Sequence, residues 1–294
     1  MALAVTLPSS LSAAQLSQHV ERGRYLFDAA GCLGCHTDKK NKGAPLAGGR
    51  ELKTPFGVYF SPNITADPKF GIGKWSDVDF LRALRFGENP KGEHYFPVFP
   101  YTSYSRMTDA DILDIKAYIF SLPPVAQANR EHQAGVIFGS RFMVGPWKII
   151  NFKSGTMPLV PARGNVWNRG AYLVEALGHC AQCHTPRDQF GGFQSHNHMS
   201  GTKDGPDGEA VPNITADNET GIGKWPDADL KALFSIGMLP DGDFVGGGMA
   251  ENVTNTTSKW SKDDLSAVIV YLRSLRAIRN QVKKKKQGGV ESWN

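Results

Sequence analysis

Two short stretches concentrate the residues able to do chemistry: GCLGCH at 31–36 and GHCAQCH at 178–184. Each places two thiols three positions apart and an imidazole directly after the second. Together they hold every cysteine of the chain: Cys32, Cys35, Cys180 and Cys183. A thiol–disulfide pair uses this spacing, but it belongs beside a βαβ pattern, which is not legible here. It also leaves His36 and His184 without a role. Structural zinc needs four ligands in a tetrahedron. The two pairs could pool their thiolates, yet each lies in its own copy of a repeated unit, which should be self-sufficient. The third chemistry is c-type heme attachment. Two thiols one helical turn apart add across the two vinyl groups of one porphyrin, and the next residue sets its imidazole on the iron. On this reading Cys32 and Cys35 are thioether-bonded with His36 proximal, and Cys180, Cys183 and His184 repeat the arrangement. The expectation is two covalently bound heme c groups.

The sixth iron ligand separates electron carriage from catalysis. A methionine thioether opposite histidine gives an iron suited to carrying one electron. The first unit offers Met107, in FPYTSYSRMTDAD, as the one methionine after its heme motif. The second offers Met199, Met238 and Met249. Met199 follows His184 by only 15 residues, too few to cross the ring. Met249 is preferred over Met238, because the glycines of VGGGMAENV let backbone approach a ligand closely. Metal-bound histidines also need their second ring nitrogen held. The Pro45 carbonyl is the expected partner of His36, with no counterpart legible for His184. His179, His196 and His198 read as polar loop residues. Trp75 and Trp225 are expected near the heme edges or in ordinary packing.

The frame around these residues is duplicated. PNITADPKFGIGKWSDVD begins at Pro62 and PNITADNETGIGKWPDAD at Pro212, 150 residues later. RGRYLF and RGAYLV are offset by 147, the CxxCH copies by 148. One unit spans 16–125 and the other 166–279, with an ordered linker, 126–165, expected to wrap across both. Asn63 and Asn213 match a glycosylation sequon, but their repetition argues for a structural turn beside the heme. Helices lead directly into both CxxCH motifs. Ser76, Thr108 and Ser261 open later helices, with an Asp three positions on at Asp79, Asp111 and Asp264. Long Gly- and Pro-rich loops lie between, and no run of alternating strands stands out. The fold expectation is all-α: two tandem class I cytochrome c-like domains. Units of about 110 residues with few helices have thin cores that need a staple, and a large apolar cofactor supplies one.

The totals agree. The chain has 294 residues, 40 % hydrophobic and 21 % charged, as in ordinary globular proteins. The net charge of +5 is too weak to argue for nucleic acid. No apolar run reaches the ~20 residues of a membrane span. Residues 1–15 read as the end of a secretory signal or a frayed terminus. The basic tail, 280–294, is a solvated end or a docking strip for a partner or anionic lipid, so peripheral membrane association is considered.

SPNITADPKFGIGKWSDVDFLRALRFG, FPVFPYTSYSRMTDADILDIKAYIFSLPP and GMLPDGDFVGGGMAENV resemble the cytochrome c subunits of bacterial periplasmic dehydrogenases. These include membrane-bound alcohol and gluconate dehydrogenases and molybdenum hydroxylases. The resemblance covers both units. It implies His/Met-ligated hemes relaying electrons from a flavoprotein or molybdoenzyme subunit to a quinone, cytochrome or oxidase, in the periplasm. It carries over His36, His184 and Met249, and Met107 with one departure: some relatives place a methionine nearer FPY, where this chain has Phe99. Sugar and alcohol dehydrogenase subunits also carry three hemes and a C-terminal membrane segment, against two CxxCH motifs and a lysine-rich end here. The expected function is a diheme electron carrier without substrate chemistry of its own. The alternative is a diheme enzyme with one open iron, acting on thiosulfate or peroxide.

Overall fold

The computed structural model describes residues 12–135 and 140–282. The start of the suspected leader, 1–11, and the lysine run at 283–286 lie outside the described residues.

The first half opens with helix α1 (Ala13–Ala29), capped by Ser12 in a capping box with Gln15. A one-turn helix, α2 (Cys32–Cys35), follows. Farther along come α3 (Asp77–Phe86), α4 (Tyr101–Tyr104) and α5 (Asp109–Ser121). The second half holds α7 (Gly164–Tyr172), α8 (Ala181–His184), α9 (Asp227–Ile236), α10 (Gly247–Asn255) and α11 (Lys262–Arg273). The expected starts hold. The side chains of Ser76, Thr108 and Ser261 accept from the backbone N–H of Asp79, Asp111 and Asp264. Each such cap is worth roughly 1 kcal/mol.

In each half the first and last helices cross at a glycine. A Cβ on Gly23 would lie 1.9 Å from the Asp114 carbonyl oxygen, and one on Gly170 would lie 2.0 Å from that of Ala267. Hydrogen at these positions therefore sets how closely α1 meets α5 and α7 meets α11. Ile112, Ile115 and Ile119 of α5, and Val268 and Leu272 of α11, fill the cores beside these crossings and are essentially fully buried.

The all-α expectation needs one correction. ELKT and GVYF form β1 (Glu51–Thr54) and β2 (Gly57–Phe60), paired antiparallel from Glu51↔Phe60 to Thr54↔Gly57. The linker adds β3 (Gln133–Ala134) to β2. Four-residue strands carry too little alternation to stand out in a sequence. The segment expected as a linker touches residues on both sides of it. Its helix α6 (Arg141–Asn151) sends Lys148 Nζ to the Gly87 carbonyl at 3.1 Å and Trp147 Nε1 to the Phe190 carbonyl at 2.9 Å.

Candidate heme-binding sites

α1 and α7 deliver the two CxxCH motifs by different turns. Gly31 adopts φ +68, which a residue without Cβ takes freely, and α2 starts at once. The second copy has an extra residue, His179, between its glycine and its first cysteine. A π-helical turn over Leu173–Leu177 absorbs it, and His179 itself takes φ +40. This accounts for the change in repeat offset from 147 to 148. His179 is a correction to the polar-loop reading. Its ring stacks edge-on against Tyr104, centroids 5.5 Å apart, and burial pushes its pKa down to about 4.

The two histidines expected as proximal ligands are held identically. Nδ1 of His36 lies 2.8 Å from the Pro62 carbonyl oxygen, and Nδ1 of His184 lies 2.8 Å from that of Pro212. The carbonyl can only accept, so Nδ1 carries the proton and Nε2 keeps its lone pair. Burial lowers the pKa of both imidazoles, opposed by the same carbonyl bonds, which favours the neutral, metal-binding form. The expected partner, Pro45, is replaced by Pro62, and the missing counterpart is Pro212. These prolines open the two PNITAD repeats, the signal from which the pairing could have been read.

The PNITAD loops are rigid supports. Asn63 Oδ1 accepts from the N–H and the hydroxyl of Thr65 at 2.9 and 2.7 Å, and Asn213 does the same with Thr215 at 2.9 and 2.7 Å. Their amides reach the strap that leaves each last helix, at Val125 and Ile278. Asn63 and Asn213 are buried, so the sequons are structural turns as expected. The straps carry these contacts to Gln127 and Asn280, past the unit ends read from sequence.

The methionines fall into two kinds. Met199 and Met107 are fully buried. Met199 has φ +57, donates its N–H to Thr185 Oγ1 and accepts from Ile214 N–H. Leu46, with φ +62, makes the same bonds with Thr37 and Ile64. A leucine at the equivalent place marks Met199 as packing behind His184. Met249 and Met238 are half-buried, Met249 in the first turn of α10. Trp75 and Trp225 are half-buried against the core.

The two motifs meet on one seam between the halves. Arg50 Nη1 donates to the Gly34 carbonyl at 2.6 Å and to Glu251 Oε1 at 2.5 Å. Gln182, inside the second motif, donates to Thr102 and Ser103 at 2.8 and 3.0 Å. Lys39 Nζ reaches Asn255 at 2.8 Å.

Three observations fit heme. The four cysteines keep accessible surface, yet burial pushes the Cys32 and Cys180 thiols up to about 12 and that of Cys183 to about 11. The four sulfurs stand in two pairs, each directly before its own histidine, as attachment of two hemes would require. Half-buried Ile64, Tyr95 and Phe99, and Ile214, Val245 and Met249, border the same cores and supply apolar walls. Tyr101 Oη, Trp260 Nε1 and Asn255 Nδ2 are buried without a partner among the described residues. Such donors need an acceptor, and a heme propionate or its bound water provides one. Zinc does not fit: among the described residues no group of three His, Cys, Asp or Glu side chains could hold a metal ion.

Comparison with known proteins agrees with this chemistry. Residues 20–123 match the cytochrome c family. Over 279 residues, 90 % of this chain and 88 % of the relative, the sequence is 37 % identical to a diheme cytochrome c-type protein of Cereibacter sphaeroides. It is 36 % identical to the gluconate 2-dehydrogenase cytochrome c subunit of Pantoea cypripedii, over 88 % of this chain and 60 % of that one. It is 37 % identical to a subunit of the nicotinate dehydrogenase of Pseudomonas putida, over 90 % of this chain but only 22 % of that protein.

Proposed function

The chain belongs to the cytochrome c family, and on that premise we propose that it carries electrons from a dehydrogenase catalytic subunit to the respiratory chain, through two covalently bound hemes in tandem class I domains. The single observation that supports this best is the matched pair of histidines, each with Nδ1–H on a proline carbonyl and Nε2 free. Bound heme supplies reversible one-electron iron chemistry. The protein does the rest. Cys32 and Cys35, and Cys180 and Cys183, anchor the two groups as thioethers. His36 and His184 present a fixed tautomer to iron. The proline carbonyls strengthen these imidazoles as donors, as outer partners of metal-bound histidines do. The apolar walls exclude water, and Tyr101 and Trp260 offer donors to the propionates. Met249 is the sixth ligand of the second iron, and Met107 is the candidate the sequence offers for the first.

The donor is a dehydrogenase subunit, flavoprotein or molybdoenzyme, because the relatives named above include subunits of dehydrogenase complexes. The acceptor is a quinone, cytochrome or oxidase. Heme c attachment sets the compartment as the periplasm. No helix among the described residues is long and apolar enough to cross a membrane, so any membrane contact of these residues is peripheral. An optical potentiometric titration of the holo-protein tests the reading. Two reversible one-electron steps are expected. Irreversible reduction, or oxidation of thiosulfate or consumption of peroxide at enzymatic rates, would overturn it in favour of a diheme enzyme.

A further inference from the structure

We propose that Phe99 stands over the first heme where Met249 stands over the second. The first iron then lacks a protein sixth ligand and forms a binding site for small neutral π-acceptor diatomics such as carbon monoxide or nitric oxide. The inference rests on the two-heme reading and replaces only its assignment of Met107.

The repeat persists in three dimensions up to the residues at issue. Gly87 and Gly237 end α3 and α9 in the same left-handed conformation, φ +62 and +78. The loops that follow close with matched bonds. Tyr95 N–H reaches the Gly87 carbonyl at 2.8 Å and Val245 N–H that of Gly237 at 2.9 Å. Asn89 N–H reaches Glu93 at 2.9 Å and Leu239 N–H reaches Asp243 at 2.7 Å. Four residues past these closures stand Phe99 and Met249. Both are half-buried apolar side chains packed on the core.

Met107 belongs to a different position. It directly precedes the N-cap Thr108, and its counterpart before the N-cap Ser261 is Trp260. Trp260 is a core residue, its ring 5.8 Å from that of Phe234. Met107 is 0 % exposed. The position before the last helix thus carries a tryptophan without a thioether in the other half, so it is not the place where the repeat sets its ligand.

Phe99 closes the first site with aromatic rings and no lone pair. Its centroid lies 5.6 Å from Tyr95 and 5.8 Å from Tyr104. Tyr104 is buried, and its hydroxyl donates to the Ala30 carbonyl, two residues before Cys32, at 2.6 Å. The other described histidines of this half sit against other groups: His19 on Asp114 at 2.6 Å, His94 between Lys148 Nζ at 3.0 Å and Glu88 at 3.6 Å, and His132 against the Tyr59 and Phe96 rings.

The test is carbon monoxide titration of the dithionite-reduced holo-protein after its hemes have been counted. One carbon monoxide per two hemes is expected. Phe99→Met should abolish that binding and double the near-infrared methionine–iron(III) band of the oxidised protein. Met107→Leu should leave the spectra and the binding stoichiometry unchanged. Two hemes per chain with no carbon monoxide bound, or a new high-spin heme in Met107→Leu, would overturn the assignment alone. Fewer than two hemes would overturn the two-heme reading and this assignment with it.

Discussion

The Tyr25 hydroxyl donates to Asp264 Oδ2 across 2.5 Å, and the Tyr172 hydroxyl donates to Asp111 in the opposite direction between the halves. Each tyrosine oxygen also accepts the N–H of the residue that caps the partner helix, Ser261 at 3.1 Å and Thr108 at 3.0 Å. Each aspartate is meanwhile held by an arginine of its own half, Asp264 by Arg169 and Asp111 by Arg22. The tyrosines are thus exchanged while the arginines are not. The exchange ties the two CxxCH-bearing helices to each other's closing helix, and so fixes the seam across which electrons would pass.

Tyr172→Phe should leave Asp111 Oδ2 and the Thr108 N–H short of a partner, whereas Tyr25→Phe should strip the Ser261 N–H but leave Asp264 Oδ2 on Arg169. Tyr25→Phe and Tyr172→Phe should each cost about 1–2 kcal/mol in urea unfolding monitored by circular dichroism. Arg169 of the first site also feels the Asp111 charge of the second, so the double variant should lose an amount that departs from the sum. No loss in either would mean that the exchange does not hold the halves together.

The helix crossings should be less tolerant. Gly23→Ala and Gly170→Ala put a methyl carbon within about 2 Å of a backbone carbonyl that cannot move without its helix. Each should destabilise by more than about 2 kcal/mol, as overpacked cores do. Gly135→Ala, with nothing within 4 Å of the new Cβ, should be close to neutral. Thermal melts of the three variants make the comparison.

Acid should weaken the fold through two buried carboxylates. Burial alone would raise the Asp264 carboxyl, but hydrogen bonds from Arg169 and Tyr25 and the arginine charge together hold it below the usual range. Glu175 is likewise opposed by burial and held low by His198, Tyr271 and the Arg106 charge. A carboxylate depressed in the folded state contributes stability above its unfolded value, about 4. That stability is lost as pH falls through the lower folded value, because the unfolded chain binds the proton first. Glu175→Gln should flatten the acid limb of a stability–pH curve. An unchanged limb would mean that Glu175 does not titrate between the two states.

Much of this is legible in the residues. The repeat locates the equivalent parts, and the Ser/Thr–x–x–Asp patterns locate helix starts. The CxxCH spacing locates the donors. The proline carbonyls escape such a reading because a backbone acceptor has no side-chain signature, although the repeated PNITAD block marks the spot. The hairpin at 51–60 escapes it because its strands are four residues long. Tyr25 and Tyr172 are visible as repeated letters in RGRYLF and RGAYLV, but a contact that crosses halves leaves no local pattern. His179 reads as loop because its burial depends on Tyr104, 75 positions away.

If each half of this chain holds its own covalently attached heme, intact mass spectrometry of the purified protein, paired with pyridine hemochrome quantitation, will find two hemes per chain that survive denaturation, falling to one in Cys180→Ser/Cys183→Ser. A chain of bare polypeptide mass, or a heme that washes out in acid acetone, would contradict it.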